Sequence, residues 1–303
     1  MNNWEALILG LVQGLTEFLP VSSSGHLMIG RSLLGVEVTE DLMFEVVVHA
    51  ATVLSTIVVF RHQIFSILKE FFRFRYNDGM DYVLKIALSM LPVFVVGVFF
   101  KDYVTELFTS MTVVGSALLV TALLLLLSDN FDALKARFSC KKRATSSAAS
   151  AASAGCAAAS SASAGCAAVE TPASTSAPRN GLSYAQAFVV GLSQAIAVLP
   201  GLSRSGTTIS VGLLSGVPRA VVAQFSFLMV LVPILGESFL GLVGGEMASS
   251  QVGVSALIVG FCAAFISGLF ACKVMIALVK RARLSWFALY CAIVGALTLI
   301  FLQ

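Results

Sequence analysis

Two stretches of this chain combine, within apolar sequence, side chains that can bind an anion or transfer a proton. The first runs from Gln13 to His26 and contains a carboxylate, an amide, three consecutive serines and an imidazole. The second runs from Gln194 to Thr208 and carries one arginine among serines and threonines. In both, a glutamine precedes a glycine by 12 residues, with a proline and hydroxyl groups between them. Ionisable groups are costly in apolar surroundings, so these stretches predict a functional site.

The first stretch offers groups for metal binding, acid–base chemistry and nucleophilic attack. Glu17 and Gln13 are four residues apart, so they share one face if this part of the chain is helical. One carboxylate and one amide oxygen could hold a hard divalent cation. Phosphate oxygens of a ligand would then complete its coordination. His26 could be a general acid or base or itself a nucleophile, and Ser23 or Ser22 could be a hydroxyl nucleophile that it activates.

Each stretch predicts a turn that leads into the N-terminus of a helix. We expect the first helix to begin near His26, after residues 22–25, and the second to follow residues 203–208 and to end near Leu214. Free backbone N–H groups and the positive end of the helix dipole would then point at a ligand. Arg204 adds a permanent, fork-shaped cation that suits phosphate oxygens. These features together favour an anionic, phosphorylated ligand.

The composition of the chain indicates a helical membrane protein. Of its 303 residues, 58% are hydrophobic and only 12% are charged, whereas soluble domains carry about 25% charge. The apolar runs are long enough to cross a bilayer as helices, and the alternating pattern of barrel strands is absent. The net charge of +3 comes without a basic stripe interleaved with aromatic residues, so we expect no nucleic-acid binding.

Six segments are apolar enough to cross the bilayer, and two further apolar regions are interrupted. The six segments are residues 42–60, 82–100, 107–128, 221–243, 252–278 and 284–302. The interrupted regions, 4–35 and 183–218, contain Pro, Gly and Ser at their middles. We predict that each forms two half-helices that meet at a polar turn, covered by protein or by a water-filled cavity.

The distribution of Lys and Arg predicts how these segments are oriented. Basic residues follow the first and third spans and precede the last, which indicates that those loops are cytoplasmic. Region 4–35 then begins and ends outside, and region 183–218 begins and ends inside. We therefore predict an all-α fold with an inverted-topology repeat, residues 1–128 and 183–303, whose turns meet near the membrane midplane. A basic, Ser/Ala-rich cytoplasmic linker, residues 129–182, joins the two halves.

Other side chains that could take part in chemistry are interpreted as having structural roles only. Glu45 and His49 lie four residues apart in the first span, a spacing that suits a metal, but no third ligand is evident. We interpret them as a hydrogen-bonded pair that lines the cavity, and Arg61 with His62 as solvated loop residues. The six cysteines form no CxxC pair and are interpreted as small residues without chemistry. The first residues lack a basic segment, so we expect no removable signal peptide.

Both stretches resemble the motifs of the undecaprenyl-diphosphate phosphatases of the bacitracin-resistance type. That family carries E/Q-x-x-x-E, then a PVSSxGH stretch, and later PGxSRSxxT. Here the motifs correspond to Gln13–Glu17, Pro20–His26 and Pro200–Thr208, and the last is matched at every specified position. The length, the six spans, the two re-entrant pairs and the inverted repeat also agree with the family. The resemblance fails only over about residues 140–180.

The resemblance implies that undecaprenyl diphosphate is hydrolysed to undecaprenyl phosphate and inorganic phosphate in the bacterial inner membrane. This reaction recycles the carrier lipid of peptidoglycan synthesis. The family needs a divalent cation, Mg²⁺ or Ca²⁺, and its active site opens toward the outer face of the membrane. The sequence leaves open whether the chain acts as a monomer or a homodimer.

The family's functional residues carry over to positions in both stretches. Glu17 would serve the metal or act as an acid or base, with Gln13, where many members have Glu, as a second ligand. Ser23 or His26 would attack or relay protons, and Arg204 would neutralise the diphosphate. The expected substrate-binding residues are Ser22, Ser24, Gly25, Gly201, Ser203, Ser205, Gly206 and Thr208.

Two other functions fit parts of the pattern. A transporter or flippase of an anionic polyprenyl lipid would share the inverted repeat, but the grouping of Glu17, Ser23 and His26 favours an enzyme. A lipid phosphatase of the type-2 acid phosphatase class needs two catalytic histidines and an Arg-Pro motif. No histidine follows His62, so that second motif cannot be completed.

Overall fold

The computed structural model describes residues 1–36, 42–100, 103, 107, 110–131, 179–243, 252–281 and 283–302. Within these residues the fold is all helical, with ten helices: α1 (Asn3–Thr16), α2 (Ser23–Leu34), α3 (Leu42–Phe71), α4 (Asp78–Phe99), α5 (Met111–Phe131), α6 (Tyr184–Ile196), α7 (Arg204–Leu214), α8 (Arg219–Val243), α9 (Val254–Arg281) and α10 (Ser285–Phe301). A short 3-10 turn, Arg179–Gly181, precedes α6. Most of the predicted linker, residues 132–178, lies outside the described residues.

Five helices in the described part are long and apolar enough to cross a membrane, namely α3, α4, α5, α8 and α9. They correspond to five of the six predicted spans, and the sixth corresponds to α10, which has 17 residues. The helix α3 extends beyond the predicted first span, residues 42–60, and ends at Phe71. No Gly or Pro interrupts residues 42–71, so Arg61 and His62 are exposed on a helix and not in a loop.

The helix α2 begins at Ser23, three residues before the predicted start at His26. Ser22 caps it, since the Ser22 Oγ accepts a hydrogen bond from the Gly25 N–H at 3.3 Å. Ser22 itself has a φ of 69°, in the left-handed region that is strained for a side-chain-bearing residue. Such strain is held by surrounding structure and is concentrated at functional sites.

The second hairpin begins its second helix in the same way. The helix α7 starts at Arg204 and not after Thr208 as predicted. Ser203 caps it by accepting a hydrogen bond from the Gly206 N–H at 3.0 Å. In both hairpins, therefore, the first serine caps the helix, and Ser23, Ser24 and Ser205, which were expected to precede it, lie in its first turn.

The two hairpins also match at the N-terminus of their first helix. A capping box opens each one, formed by Asn2 with Glu5 in α1 and by Ser183 with Gln186 in α6. The equivalent residues are 181 positions apart, which is the offset that also separates Gln13 from its counterpart in the second motif. The local structure of the two regions is thus repeated in register.

Each hairpin packs against a long helix from the opposite half of the chain. The helix α1 lies along α9, and a Cβ placed on Gly10 would be 2.5 Å from the carbonyl oxygen of Gly260. The helix α6 lies along α4, and a Cβ on Gly191 would be 2.2 Å from the carbonyl oxygen of Ser89. Residues without a side chain permit these close helix contacts.

Buried carboxylates near the helix ends hold the halves together. Asp81 in α4 is 2.5 Å from the Lys85 Nζ and accepts a hydrogen bond from the Tyr184 hydroxyl of α6 at 2.8 Å. Asp129 in α5 accepts a hydrogen bond from the Arg219 guanidinium, at the start of α8, at 2.8 Å. These contacts fix where the second hairpin and α8 enter the structure.

Candidate active site

The two turns lie against each other inside the protein. The Ser205 hydroxyl donates a hydrogen bond to the carbonyl oxygen of Leu19 at 3.2 Å. A Cβ placed on Gly25 would lie 3.2 Å from the Cα of Gly201. The two motifs, remote in the sequence, therefore meet in the folded chain as predicted.

Glu17 is the centre of a buried polar group at the end of α1. Its Oε2 accepts a hydrogen bond from the Gln13 Nε2 at 2.8 Å, which confirms that the two side chains share a helix face. The same oxygen accepts a hydrogen bond from the Ser23 hydroxyl at 2.6 Å, and the His49 Nε2 lies 3.8 Å from it. A carboxylate that already accepts the hydroxyl hydrogen is well placed to take that proton.

Arg204 and Glu17 line the same pocket from opposite hairpins. The pocket is formed by Glu17, Phe18, Thr52, Val53, Thr56, Arg204, Ser205, Phe227, Val230, Leu231 and Ile234. Among the residues that the structure describes, none forms a hydrogen bond with the Arg204 guanidinium or an ion pair with it. Its permanent charge is thus available to an anion that enters beside the carboxylate.

His26 contacts α10 instead of Glu17. Its Nδ1 lies 2.7 Å from the carbonyl oxygen of Ser22, and its Nε2 lies 2.8 Å from the Tyr290 hydroxyl. The two rings stack with centroids 5.5 Å apart and planes 8° apart. Because both ring nitrogens have partners, the proposed attack or proton relay by His26 would require this arrangement to change.

The remaining hydroxyl groups of the two motifs are engaged locally. The Ser22 and Ser24 hydroxyls lie 3.4 Å apart, and the equivalent Ser203 and Ser205 hydroxyls are separated by the same 3.4 Å. The Thr208 hydroxyl donates a hydrogen bond at 2.8 Å to a carbonyl oxygen one turn earlier in α7. In this arrangement these side chains shape the turns, and their predicted contact with substrate stays a prediction.

A polar face of α3 joins the site, of which the sequence pointed to Glu45 and His49 as lining the cavity but not to Thr52 and Thr56. Thr52 and Thr56 line the pocket, and His49 approaches Glu17 from the preceding turn. Glu45, His49, Thr52 and Thr56 recur at helical spacing within an apolar span, which is the signal that could have identified this face. The predicted pair of side chains is not formed, because the His49 Nδ1 contacts the backbone carbonyl of Glu45 at 2.8 Å.

The donor groups of Glu17 and Gln13 fit a divalent cation. Gln13 is fully buried, and its Oε1 has no hydrogen-bond partner in the described structure. An unsatisfied buried oxygen costs about 1–3 kcal/mol, which a bound cation would offset. No group of three His, Cys, Asp or Glu side chains converges within the described ranges. Such a sparse protein ligand set is typical of Mg²⁺ held partly by water and phosphate.

The helical fold and the pocket define a class of protein: a multi-pass membrane protein with a carboxylate and an arginine in one pocket. The family described as Bacitracin resistance protein BacA matches residues 6–297 of this chain. The chain therefore belongs to that family.

Relatives that are named for an enzymatic activity align with nearly the whole chain. An undecaprenyl-diphosphatase of Bacteroides fragilis (strain YCH46) is 46% identical over 308 residues, covering 100% of this chain and 99% of the relative. One from Bacteroides thetaiotaomicron is 45% identical over 305 residues, covering 99% of each. A third, from Carboxydothermus hydrogenoformans, is 34% identical over 303 residues, covering 99% of this chain and 97% of the relative.

Proposed function

We propose that this chain hydrolyses undecaprenyl diphosphate to undecaprenyl phosphate and inorganic phosphate, the activity for which its relatives are named. The observation that carries the proposal is the hydrogen bond from the Ser23 hydroxyl to Glu17 in a pocket shared with Arg204. This arrangement joins a nucleophile, a proton acceptor and a fixed positive charge, which phosphoryl transfer requires.

In the first step Ser23 attacks and Glu17 accepts its proton. The Ser23 Oγ forms a bond to the terminal phosphorus, and the bond from that phosphorus to the bridging oxygen breaks. Undecaprenyl phosphate leaves with the electron pair of the broken bond. Arg204 stabilises the charge that develops on the phosphoryl oxygens, helped by the N-termini of α2 and α7.

In the second step water cleaves the phosphoserine. Its oxygen attacks phosphorus, the bond to the Ser23 Oγ breaks, and Glu17 returns its proton to that oxygen. The water oxygen leaves in inorganic phosphate, and both side chains regain their starting states. The 2.6 Å contact between Ser23 and Glu17 lets one carboxylate serve both transfers.

We propose Glu17 and Gln13 as protein ligands for a divalent cation, Mg²⁺ or Ca²⁺. The support is the buried Gln13 Oε1, which has no hydrogen-bond partner among the described residues and belongs to a side chain whose Nε2 donates to Glu17. When bound, such a cation would neutralise diphosphate charge and orient its oxygens. Because Gln13 is neutral, we expect the substrate to supply part of the coordination.

We also infer that the two halves, residues 1–128 and 183–303, form an inverted-topology repeat with the site between them. The shared offset of 181 positions and the reciprocal packing of α1 on α9 and α6 on α4 support this arrangement. Helix α10 would be the sixth span, since its 17 residues extend about 26 Å and the hydrocarbon layer is about 30 Å thick. The membrane would be the bacterial inner membrane.

An apolar groove between α4 and α6 offers a place for the polyprenyl tail. Leu91 and Val95 line it from α4, and Phe188 and Leu192 line it from α6. The groove reaches Leu199, which lies in the turn between α6 and Arg204, the first residue of α7. A tail in this groove would therefore lead its head group toward the pocket.

Phosphate release by the purified protein in detergent tests the proposed function. We expect release from undecaprenyl diphosphate, its loss with EDTA and its return when Mg²⁺ or Ca²⁺ is added. The Ser23→Ala variant should release no phosphate. A transporter or flippase would release none in any of these conditions, and that result would exclude the phosphatase.

A further inference from the structure

We propose that His49 is a third protein ligand of the divalent cation and that it biases the site toward Mn²⁺ over Ca²⁺. This inference rests on the proposed cation-dependent phosphatase. It assigns a role to α3, which carries neither of the two sequence motifs.

The backbone of α3 fixes which nitrogen of His49 faces the site. The His49 Nδ1 lies 2.8 Å from the carbonyl oxygen of Glu45, and a carbonyl oxygen can only accept a hydrogen bond. The Nδ1 therefore carries a hydrogen, and when the ring is neutral the Nε2 is the nitrogen that presents a lone pair. The Glu45 carboxylate does not interfere, because it lies 3.7 Å from the Arg31 guanidinium. Metal-bound histidines commonly have such a carbonyl partner on the other ring nitrogen.

The distance from His49 to Glu17 suits an ion between them. The Nε2 lies 3.8 Å from the Glu17 Oε2, which is too long for a direct hydrogen bond of about 2.7–3.2 Å. Metal–nitrogen and metal–oxygen bonds are each about 2.0–2.2 Å long, so one ion can contact both atoms. The Nε2 lone pair and the Glu17 Oε2 repel each other, and a cation bound to both atoms would remove this repulsion.

Gln13 supplies an independent observation that points to a cation. Its Oε1 is a third electron-pair donor, fully buried and without a hydrogen-bond partner in the described part of the chain. The alternative is a protonated His49 paired with Glu17 alone. That arrangement would leave the Gln13 oxygen unsatisfied, whereas a cation beside Glu17, whose Oε2 the Gln13 amide contacts through its Nε2, would offer this oxygen a partner.

The nitrogen ligand has a consequence for the choice of metal. Ca²⁺ and Mg²⁺ prefer oxygen ligands, whereas imidazole suits transition-metal ions. Arg204 lines the same pocket and repels a bare cation, so we expect diphosphate oxygens to complete the coordination. His49→Gln replaces the nitrogen by an amide oxygen and should shift the preference back toward Ca²⁺.

Electron spin-echo spectroscopy of bound Mn²⁺ tests the proposal directly. The full-length protein is labelled with ¹⁵N only in histidine and loaded with Mn²⁺ and methylenediphosphonate, which cannot be hydrolysed. We expect a ¹⁵N coupling that is lost in His49→Gln and kept in His62→Gln, a control at an exposed position of the same helix. The dissociation constant of Mn²⁺ should rise at least about tenfold in His49→Gln, with a smaller change for Ca²⁺.

The outcomes separate this inference from the proposed function. Mn²⁺ bound without a histidine coupling, or with a coupling that persists in His49→Gln, would overturn the role of His49. The absence of a histidine coupling in the unsubstituted protein would overturn that role even if His49→Gln does not fold. Phosphate release is measured on the same preparation, and only its absence with every divalent cation counts against the phosphatase.

Discussion

Replacing Gly201 by alanine tests whether catalysis needs the close packing of the second turn against α5. Gly201 has a φ of 84°, in the left-handed region. A Cβ at this position would lie 2.5 Å from the carbonyl oxygen of Val114 and 2.7 Å from its Cα. Both are backbone atoms of α5, so they cannot rotate away from the added methyl group.

The size of the effect follows from these distances. Reaching ordinary contact at 3.4 Å requires the turn to move about 0.9 Å from the Val114 oxygen. A displacement of about 1 Å in a positioned group can reduce a rate by about 10²-fold. Because Arg204 follows Gly201 by three residues, we expect kcat/KM to fall by about 10²-fold. The left-handed backbone adds about 1–2 kcal/mol of destabilisation.

Gly35→Ala is the matched control. Gly35 has a φ of 70° at the end of α2, but a Cβ there would meet no atom of the described residues within 4 Å. This variant should lose about 1–2 kcal/mol of stability from backbone strain alone and keep its activity. The assay is phosphate release from undecaprenyl diphosphate in detergent, with thermal unfolding measured on the same preparations.

Two results with these variants would contradict the prediction. Full activity in Gly201→Ala would show that the second turn need not pack closely against α5 for catalysis. Equal loss of activity in Gly201→Ala and Gly35→Ala would assign the effect to backbone strain and not to the packing of this turn on α5.

Three further predictions address charge, the linker and the junction of the halves. Arg204→Ala should lower phosphate release by about 10³-fold in protein that still elutes as a folded species in size-exclusion chromatography, and undiminished release would contradict its role. Deleting residues 145–176 should leave activity largely intact, because Ser/Ala-rich connecting segments tolerate changes in length; loss of activity in folded protein would reveal a role for this segment. Asp81→Asn should destabilise the protein by about 3–5 kcal/mol, because buried Lys85 loses its carboxylate, and an unchanged unfolding temperature would argue against that pair.

The motifs predicted the centre of the site because they are local patterns. The spacing of Gln13 and Glu17 fixes a shared helix face, and their hydrogen bond confirms it. The parity of the spans and the repeated motif predicted that the turns would meet, as the contact of Gly25 with Gly201 shows. Composition alone sufficed for the all-helical membrane class.

Other parts of the site depend on contacts that local patterns do not determine. The Nε2 of His26 contacts Tyr290, which lies 264 residues later in the chain. His49 approaches Glu17 only because α3 packs beside the first hairpin. The starts of α2 and α7 were predicted too late because a run of serines does not show which serine is the cap. Here Ser22 and Ser203 are the caps, and the residues after them are already helical.

Trapping the covalent intermediate tests most directly whether Ser23 and Glu17 perform the chemistry. Enzyme mixed with undecaprenyl diphosphate labelled in its terminal phosphate is quenched within a single turnover, digested and mapped. We predict that the label resides on Ser23 and that Ser23→Ala carries none. Label on His26, or phosphate release without any labelled enzyme at any quench time, would contradict this mechanism.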